Sequence, residues 1–430
     1  MYNIENVFGI QRGDIRHYVE RPQVDDEFVR NLTRDKHLCV YGSSKQGKTS
    51  LRKKHISTAD EIVVVCDPDW SHGDIFAAIL KAAGCVLEVA RNISVKDKLD
   101  VSGGLEATVK VPLVARVTGK VGTTGGGEKT TETRFENLPV NLGDIADVLK
   151  ILSKAFHGRY IVIEEFHYLP EAIQRNFALK LKAAHELSNY IFIVVGVWLE
   201  KNRMAHLNPD LAGRVAAINA DDWTDDDLLR VVKEGAEKLN IAFPPTFAEQ
   251  LIKRACGSVY LVREACYRAC DESKIFNACE HRRTIGTLSA SKLLDGINIG
   301  GVDYPAQIIG LLGLEGISQT DVEQEKDLKG WVVRALVYAP GKELLEGLPL
   351  HRIRTLISQH HPTKYFPTVG QIGRIVTHLQ AAQNIKTGQK LFDYDRQEKI
   401  MRCVDKGYIL WRLNQRLEKI KDMIFERGGD

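Results

Sequence analysis

The sequence predicts an α/β protein whose mostly parallel sheet is covered by helices on both faces, followed by smaller helical units. Three observations carry this. The run Gly42-Ser43-Ser44-Lys45-Gln46-Gly47-Lys48-Thr49 lies between a strand-like apolar segment, residues 37 to 43 (HLCVYGS), and a helical pattern that opens with GKTSLRKKHI. Apolar runs of strand length alternate with amphipathic helical patterns up to about residue 219, which is the signature of strands buried on both faces and joined by crossover helices. One of those runs, residues 160 to 166 (YIVIEEF), ends in two adjacent carboxylates.

Taken in order, strands are expected at 37 to 43, 61 to 66 (EIVVVC), 160 to 166, 190 to 198 (YIFIVVGVW) and about 215 to 219 (VAAIN), with helices at about 73 to 84, 142 to 156 and 170 to 188. Residues 100 to 135 break the alternation. There ATVKVPLVARVTGKV alternates apolar with polar or basic residues and GTTGGGE supplies a turn, so an inserted β-hairpin is expected. Lys110, Arg116, Lys120, Lys129 and Arg134 make it basic, either as a solvated edge protected by charge or as a projecting contact for DNA or a partner protein.

From Thr224 to about Ser273 three helical patterns follow one another and form a small lid, with Asp221, Asp222 and Thr224 as candidate N-caps. Many Gly and Ser residues between 274 and 325 mark a domain boundary. Helices at about 327 to 338, 350 to 360 and 368 to 384 precede the strand-like LFDYD, KIMRCVD and GYILWRL. That is the order of a winged helix-turn-helix, with TVGQIGRIVTHLQAAQN in the recognition place and Arg374, Thr377, His378 and Gln380 as its outward polar residues. The expected domains are therefore a nucleotide-binding core at 1–220, a lid at 221–285, a linker at 286–325 and a winged-helix domain at 326–430.

At 430 residues the chain exceeds the roughly 250 to 300 at which one hydrophobic core stops growing. No apolar run has the length of a membrane-spanning helix, and MYNIENVFGIQRGD lacks the features of a secretory signal, so a cytoplasmic protein with no membrane partner is expected. The eight cysteines lie in periodic apolar segments, where a reduced thiol packs as a small hydrophobe. Cys266, Cys270, Cys279 and His281 allow a loose zinc reading, but packing is preferred because Cys266 and Cys270 stand four apart on a helical pattern. The net charge of +3 is uneven: residues 326 to 430 hold 19 Lys or Arg against 11 Asp or Glu, an excess of +8 that leaves −5 for the rest. Such an excess suits a polyanionic partner.

Binding a triphosphate needs closely spaced backbone N–H groups turned inward, and glycine permits both the bend and the close approach. Gly42 and Gly47 supply the bends, Lys48 reaches the β- and γ-phosphates, and Thr49 offers a hydroxyl to Mg²⁺. ATP and Mg²⁺ are the expected ligands, contacted by residues 42 to 50 from Gly42 through Ser50. In the strand that ends Glu164-Glu165, the first carboxylate is expected in the magnesium shell and the second as general base for the attacking water. The usual pair is Asp-Glu, so Glu164 is one methylene longer than expected.

Gly42 to Thr49, Ile161 to Glu165, the strand ending Val195-Gly196-Val197-Trp198, the segment LNPDLAGRV and the lid sequence Gly257-Ser258-Val259-Tyr260-Leu261-Val262-Arg263 occur in the order of the AAA+ superfamily. With the C-terminal pattern, the chain resembles its origin-recognition-like and STAND-type branch, well over residues 20 to 275 and loosely over 326 to 415. The resemblance implies an ATPase switch that assembles with itself or a partner subunit and engages DNA or an effector protein, in bacterial defence or mobile-element biology. The alternative is a nucleotide-binding regulator with little turnover whose winged helix contacts protein. Arg214 resembles the finger that reaches a neighbouring subunit's γ-phosphate, against an ordinary surface arginine. Arg263 resembles the lid arginine called sensor 2, against a helix-surface ion pair. Trp198 stands where the family often has a polar sensor.

Overall fold

The computed structural model describes residues 2–10, 15–89, 106–113, 134–286, 289–299, 302–312, 327–386 and 390–425. A short helix α1 (Ile4–Val7) and α2 (Pro22–Thr33) lead into β1 (His37–Tyr41), and the glycine-rich loop after it turns into α3 (Lys48–His55). Then come β2 (Glu61–Val65), α4 (His72–Ala82), an antiparallel insertion of β3 (Val86–Val89), β4 (Glu106–Leu113) and β5 (Arg134–Asn141), and the series α5 (Ile145–Ala155), β6 (Tyr160–Glu164), α6 (Glu171–Leu187), β7 (Ile191–Val195), α7 (Arg203–Leu207) and β8 (Val215–Asn219). The main sheet has the order β2-β6-β7-β1-β8 and every pairing is parallel. All five of its strands stand where the apolar runs place them.

Alternation along those strands sorts the side chains to two faces. Leu38, Val40, Val162, Ile193 and Val195 face α2 and α3 with Val24, Phe28 and Leu51. Cys39, Tyr41, Ile161, Ile163, Phe192 and Val194 face α4, α5 and α6 with Phe76, Leu152 and Phe177. Each buried side chain of this size contributes about 1.5–3 kcal/mol relative to exposure, so the central strands are fixed from both sides. Their C-terminal ends form the edge at which ligands bind in open α/β sheets.

The insertion differs from the projecting hairpin expected. Ala107, Val109, Val111 and Val140 are buried in the core of the nucleotide domain, and a third strand, β3, pairs with β4. Lys110, on the opposite face of β4, is bound to Glu88 at 2.6 Å. The Gly-rich turn with Arg116, Lys120 and Lys129 lies outside the described residues.

The lid consists of α8 (Asp225–Leu239), α9 (Phe247–Arg254) and α10 (Val259–Glu272), with a two-residue parallel pair, β9 (Ile241–Ala242) and β10 (Arg283–Thr284), beside it. Of the candidate caps Thr224 is the one used: its side chain accepts from Asp227 N and Asp227 returns the bond, a capping box. Cys266 and Cys270 are buried in the lid core and burial raises both thiols, Cys270 to about 12. The stretch expected as a linker carries α11 (Ala290–Ile299), which packs into the lid through Leu293 and Leu294, and α12 (Tyr304–Leu312), which packs into the C-terminal core through Ile308 and Leu311.

The C-terminal unit runs α13 (Leu328–Tyr338), α14 (Gly341–Glu346), β11 (Leu348–Pro349), α15 (Leu350–His360), α16 (Val369–Lys386), β12 (Phe392–Asp395), β13 (Ile400–Cys403), α17 (Lys406–Asn414) and α18 (Leu417–Phe425), with the antiparallel sheet β11-β13-β12. One expectation fails here: GYILWRL is helical, not a strand. Asp405 Oδ1 accepts from Gly407 N at 2.8 Å and Tyr408 N at 3.2 Å and so caps α17. Residues Tyr408 to Arg412 are buried on every side between the lid and the C-terminal core, which erases the helical period from the sequence.

Candidate nucleotide site

The loop from Gly42 to Thr49 leaves the C-terminal end of β1, and its bends match its glycines. Gly42 has φ +145° and a Cβ there would stand 2.7 Å from Asp221 Oδ1; Gly47, at φ +86°, is the N-cap of α3. Lys45 also takes a left-handed φ of 61°, an arrangement that turns successive amides to one side.

Two residues of the loop, Ser43 and Gln46, are held from outside. Ser43 donates its N–H to Asp221 Oδ1 at 2.7 Å and its hydroxyl to Asp221 Oδ2 at 2.5 Å. Trp223 Nε1 donates to Gln46 O at 3.2 Å, and Val259 N, at the start of α10, donates to Gln46 Oε1 at 3.3 Å. The guanidinium of Arg21 stacks on Trp223 at 4.0 Å and donates to Ala220 O at 2.8 Å. The end of β8, the approach to α2 and the lid thus set the loop's shape. Asp221, expected only as a cap candidate, and Arg21 and Trp223 are supporting residues that no short motif announces, while Gln46, expected to contact the nucleotide, is tied to the lid.

Lys48 is half-buried and donates to Gly42 O at 3.1 Å and Ser43 O at 2.6 Å. Burial pushes its ammonium below the usual lysine range, while Asp221, Glu165 and Glu164 oppose that. Thr49 Oγ1 lies 3.5 Å from Glu164 Oε1, so the hydroxyl and the carboxylate expected to share a Mg²⁺ do face each other across the loop. A magnesium ion bound with phosphates uses one or two protein oxygens of this kind. Glu164 is held by Arg52 at 3.3 Å, and Arg52 is itself paired with Glu61. Burial raises the Glu164 carboxyl, Arg52 lowers it and Glu165 raises it.

Glu165 directly follows β6, at a left-handed φ of 56°, a conformation that costs a non-glycine residue energy and often marks functional positions. It turns the side chain into the same cleft as Lys48, and burial raises its carboxyl with Lys48 acting against the shift. His167 Nδ1 is 3.4 Å from Glu165 Oε2, yet that nitrogen accepts the N–H of Val197 at 3.3 Å. Burial, with Lys390 and Lys48 nearby, pushes this imidazole down to about 3, so a carboxylate lies beside a neutral ring and no ion pair forms.

The cleft over the loop has a volume of about 480 Å³ and is lined by residues 44 to 50, Glu165 and Lys390 and by Phe8, Ile10, His17 and Tyr260. Arg263 belongs to its wall, but its guanidinium donates to the carbonyls of Val7 (3.0 Å), Gly9 (2.9 Å) and Phe8 (3.4 Å). It therefore pins the N-terminal segment over the cleft and is not turned to the phosphate loop as expected of a lid sensor. Arg214 stands just before β8, at the end of the sheet away from the loop, where it donates to Asp210 O at 2.8 Å and lies 3.3 Å from Glu186. Trp198 is fully buried behind the loop and forms a β-bridge with Gly42.

The sequence matches no family model and no curated protein. Among solved structures, the chain is similar to the Walker-type ATPase PABY2304 of Pyrococcus abyssi, with a TM-score of 0.54, 11% identity, and 95% of this chain and 100% of that one covered. The core shares the fold of that Walker-type ATPase, a parallel sheet with a phosphate loop after β1. Looser likenesses are Cdc6p of Pyrobaculum aerophilum (TM-score 0.40, 10% identity, 98% of each chain) and RuvB of Thermotoga maritima (TM-score 0.39, 13% identity, 93% of this chain and 96% of that one). Among the described residues no helix is long and apolar enough to cross a membrane.

The C-terminal unit also reaches the site, which the sequence did not announce. Ser44 N donates to Val404 O at 3.1 Å. Lys390 Nζ lies 3.4 Å from Val197 O and pairs with Asp393, and Asp393 accepts from Leu199 N at 2.7 Å and from Gln380 at 2.7 Å. Farther out Arg396 binds Glu171 through two bonds at 3.1 and 2.8 Å.

Proposed function

We propose that the chain binds ATP with Mg²⁺ in this cleft, hydrolyses it with Glu165 as base, and uses the nucleotide to hold or release its C-terminal unit. One observation carries the switch reading: an amide of the phosphate loop, Ser44 N–H, is bound to a carbonyl of that unit, Val404. Loop amides of this kind favour anions, and a phosphate brings more negative charge than a carbonyl. Triphosphate binding and this docking contact therefore compete, and the competition gives a ligand different affinities for the docked and released states.

In the loaded site Lys48 would leave the Gly42 and Ser43 carbonyls for phosphate oxygens, and Thr49 and Glu164 would hold the metal, whose charge would neutralise the phosphates. Arg52 keeps Glu164 oriented from behind. Glu165, left unpaired with His167, takes the proton of the attacking water. Arg214, remote from its own cleft, would serve the site of a neighbouring copy or partner subunit, so assembly belongs to the same proposal.

Helices α13, α15 and α16 and the small sheet of the C-terminal unit follow the order of a winged helix, and once released the unit would engage DNA or an effector protein; defence or mobile-element biology suits such a switch. A specific observation favours protein contact for the docked state. Of the four polar residues expected outward on α16, Arg374 and His378 are exposed, whereas Thr377 donates to Gly373 O at 2.8 Å and Gln380 donates to Asp393 at the domain contact.

Hydrogen–deuterium exchange tests the switch. With saturating ATP and Mg²⁺, amides of the segment around Leu199 are expected to exchange faster than in the nucleotide-free chain, because the Leu199 N–H loses its acceptor on the C-terminal unit, Asp393. Identical exchange in this segment with and without bound nucleotide would contradict the competition.

A further inference from the structure

Strand β7 and the residues after it, Val195, Gly196, Val197 and Trp198, end beside the phosphate loop, where Gly196 N donates to Val40 O at 3.2 Å and Trp198 bridges Gly42. Trp198 is fully buried, and none of these four gives the cleft a polar side chain. A charge reaches this place from another part of the chain. Lys390, just before β12 in the C-terminal unit, shares the cleft wall with Glu165, His167 and Val197. Its ammonium lies 3.4 Å from Val197 O, Val197 N donates to His167 Nδ1 at 3.3 Å, and that nitrogen is 3.4 Å from Glu165 Oε2. Glu165, His167, Val197 and Lys390 thus follow one another along the wall. After burial, the charges of Lys390 and Lys48 do most to hold the His167 ring neutral.

The Lys390 ammonium is paired with Asp393, and both residues are buried. Burial alone would raise the Asp393 carboxyl, yet Lys390 and Arg203 bring it below the ordinary aspartate range, so the buried pair is ionic. Such a pair is often no more stabilising than apolar groups of the same size, whereas taking one partner away leaves a costly lone charge. Asp393 also accepts from Leu199 N of the core and from Gln380 of α16, each at 2.7 Å. One carboxylate therefore ties a lysine of the cleft wall to the core and to α16.

We infer that Lys390 is the residue that distinguishes triphosphate from diphosphate in this site: a γ-phosphate draws its ammonium away from Asp393, and a diphosphate leaves the pair closed. This rests on the reading that the cleft holds a nucleoside triphosphate with Glu165 as base. The inner phosphates lie against the loop amides, while a terminal phosphate whose attacking water is held by Glu165 lies along the wall that Lys390 completes. Once its cation has left, Asp393 is a buried carboxylate without a counter-charge at its side, and its bonds to Leu199 and Gln380 no longer hold the seam. Triphosphate, and not diphosphate, then releases the C-terminal unit.

The test measures equilibrium dissociation constants for ATP and ADP with Mg²⁺ on full-length chains that all carry Glu165→Gln, so that ATP persists. The reference chain is compared with Lys390→Met and with the double variant Lys390→Met/Asp393→Asn, which removes both charges and keeps the seam filled if the single variant folds poorly. Both variants are expected to bind ATP about ten- to a hundredfold more weakly than the reference, with ADP affinity within about threefold. In the reference, exchange at the Leu199 amide should quicken with ATP and not with ADP. A double variant with the reference's ratio of ATP to ADP affinity, whether both are unchanged or both fall together, would make Lys390 a structural residue of the seam and overturn the inference. Equal quickening of Leu199 exchange by ADP would overturn it too. A reference chain that bound neither nucleotide would refute the nucleotide reading itself, a result distinct from an unchanged ratio with both bound.

Discussion

Glu165→Gln is expected to lower ATP turnover by about 10²- to 10⁴-fold while ATP affinity stays within a few-fold of the parent. The amide keeps the shape of the side chain and cannot accept the water's proton. The left-handed backbone at Glu165 and the neutral state of His167 leave the carboxylate turned to the cleft without an ion-pair partner on that side. The pH profile gives a second check. Burial raises the Glu165 carboxyl above the ordinary glutamate range, and a base works only when ionised, so the parent rate should fall on the acid side at a higher pH than an ordinary glutamate would give. The variant should lack that limb. Parental turnover in steady-state assays of Glu165→Gln would remove Glu165 from the chemistry.

The second large effect concerns Arg214. Strand β8 separates it from Asn219 and the loop by five residues, roughly 16 Å of extended chain, and its guanidinium is engaged with Asp210 and Glu186 on the opposite end of the sheet. It cannot serve its own cleft. If it stabilises charge in a neighbour's site, Arg214→Ala costs on the order of a thousandfold in turnover with nucleotide binding intact. Mixing Arg214→Ala with Lys48→Ala chains then restores part of the activity, since a Lys48-containing site can meet an Arg214-containing neighbour. Turnover of Arg214→Ala at the parental rate would make it a surface arginine, and a loss that mixing never relieves would place its effect within one chain.

How much of this was legible depends on the range of the interactions. The phosphate loop, the β6 carboxylates and the five central strands could be read because a local pattern fixes each: two glycines at a bend, an apolar run between helices, charges directly after a buried strand. The lid helices were legible for the same reason, with Thr224 and Asp227 announcing the start of α8. What escaped was long-range. Asp221 reaches Ser43 across 178 positions and Val404 reaches Ser44 across the whole lid, and no periodicity encodes such pairs. Helix α17 was hidden by burial on all sides, and β3 by being four residues long. The Gly and Ser residues between 274 and 325 suggested a linker at 286–325, but Leu293, Leu294, Ile308 and Leu311 give two helices within it apolar faces that neighbouring cores cover. Arg263 illustrates a subtler limit: its place on the lid was right, while its partners are backbone carbonyls of a segment more than 250 positions away.

Whether this cleft grips a triphosphate at all is settled by titrating the full chain with ATP and Mg²⁺ in a calorimeter, beside Lys48→Ala. Removing the Lys48 ammonium from phosphate oxygens should weaken binding by about a hundredfold or more, with thermal melting of the nucleotide-free variant close to that of the parent. Equal affinities for the two proteins would mean that the ligand does not lie against Lys48, and the reading of the loop, the metal pair and the docked C-terminal unit as one nucleotide-controlled device would be wrong.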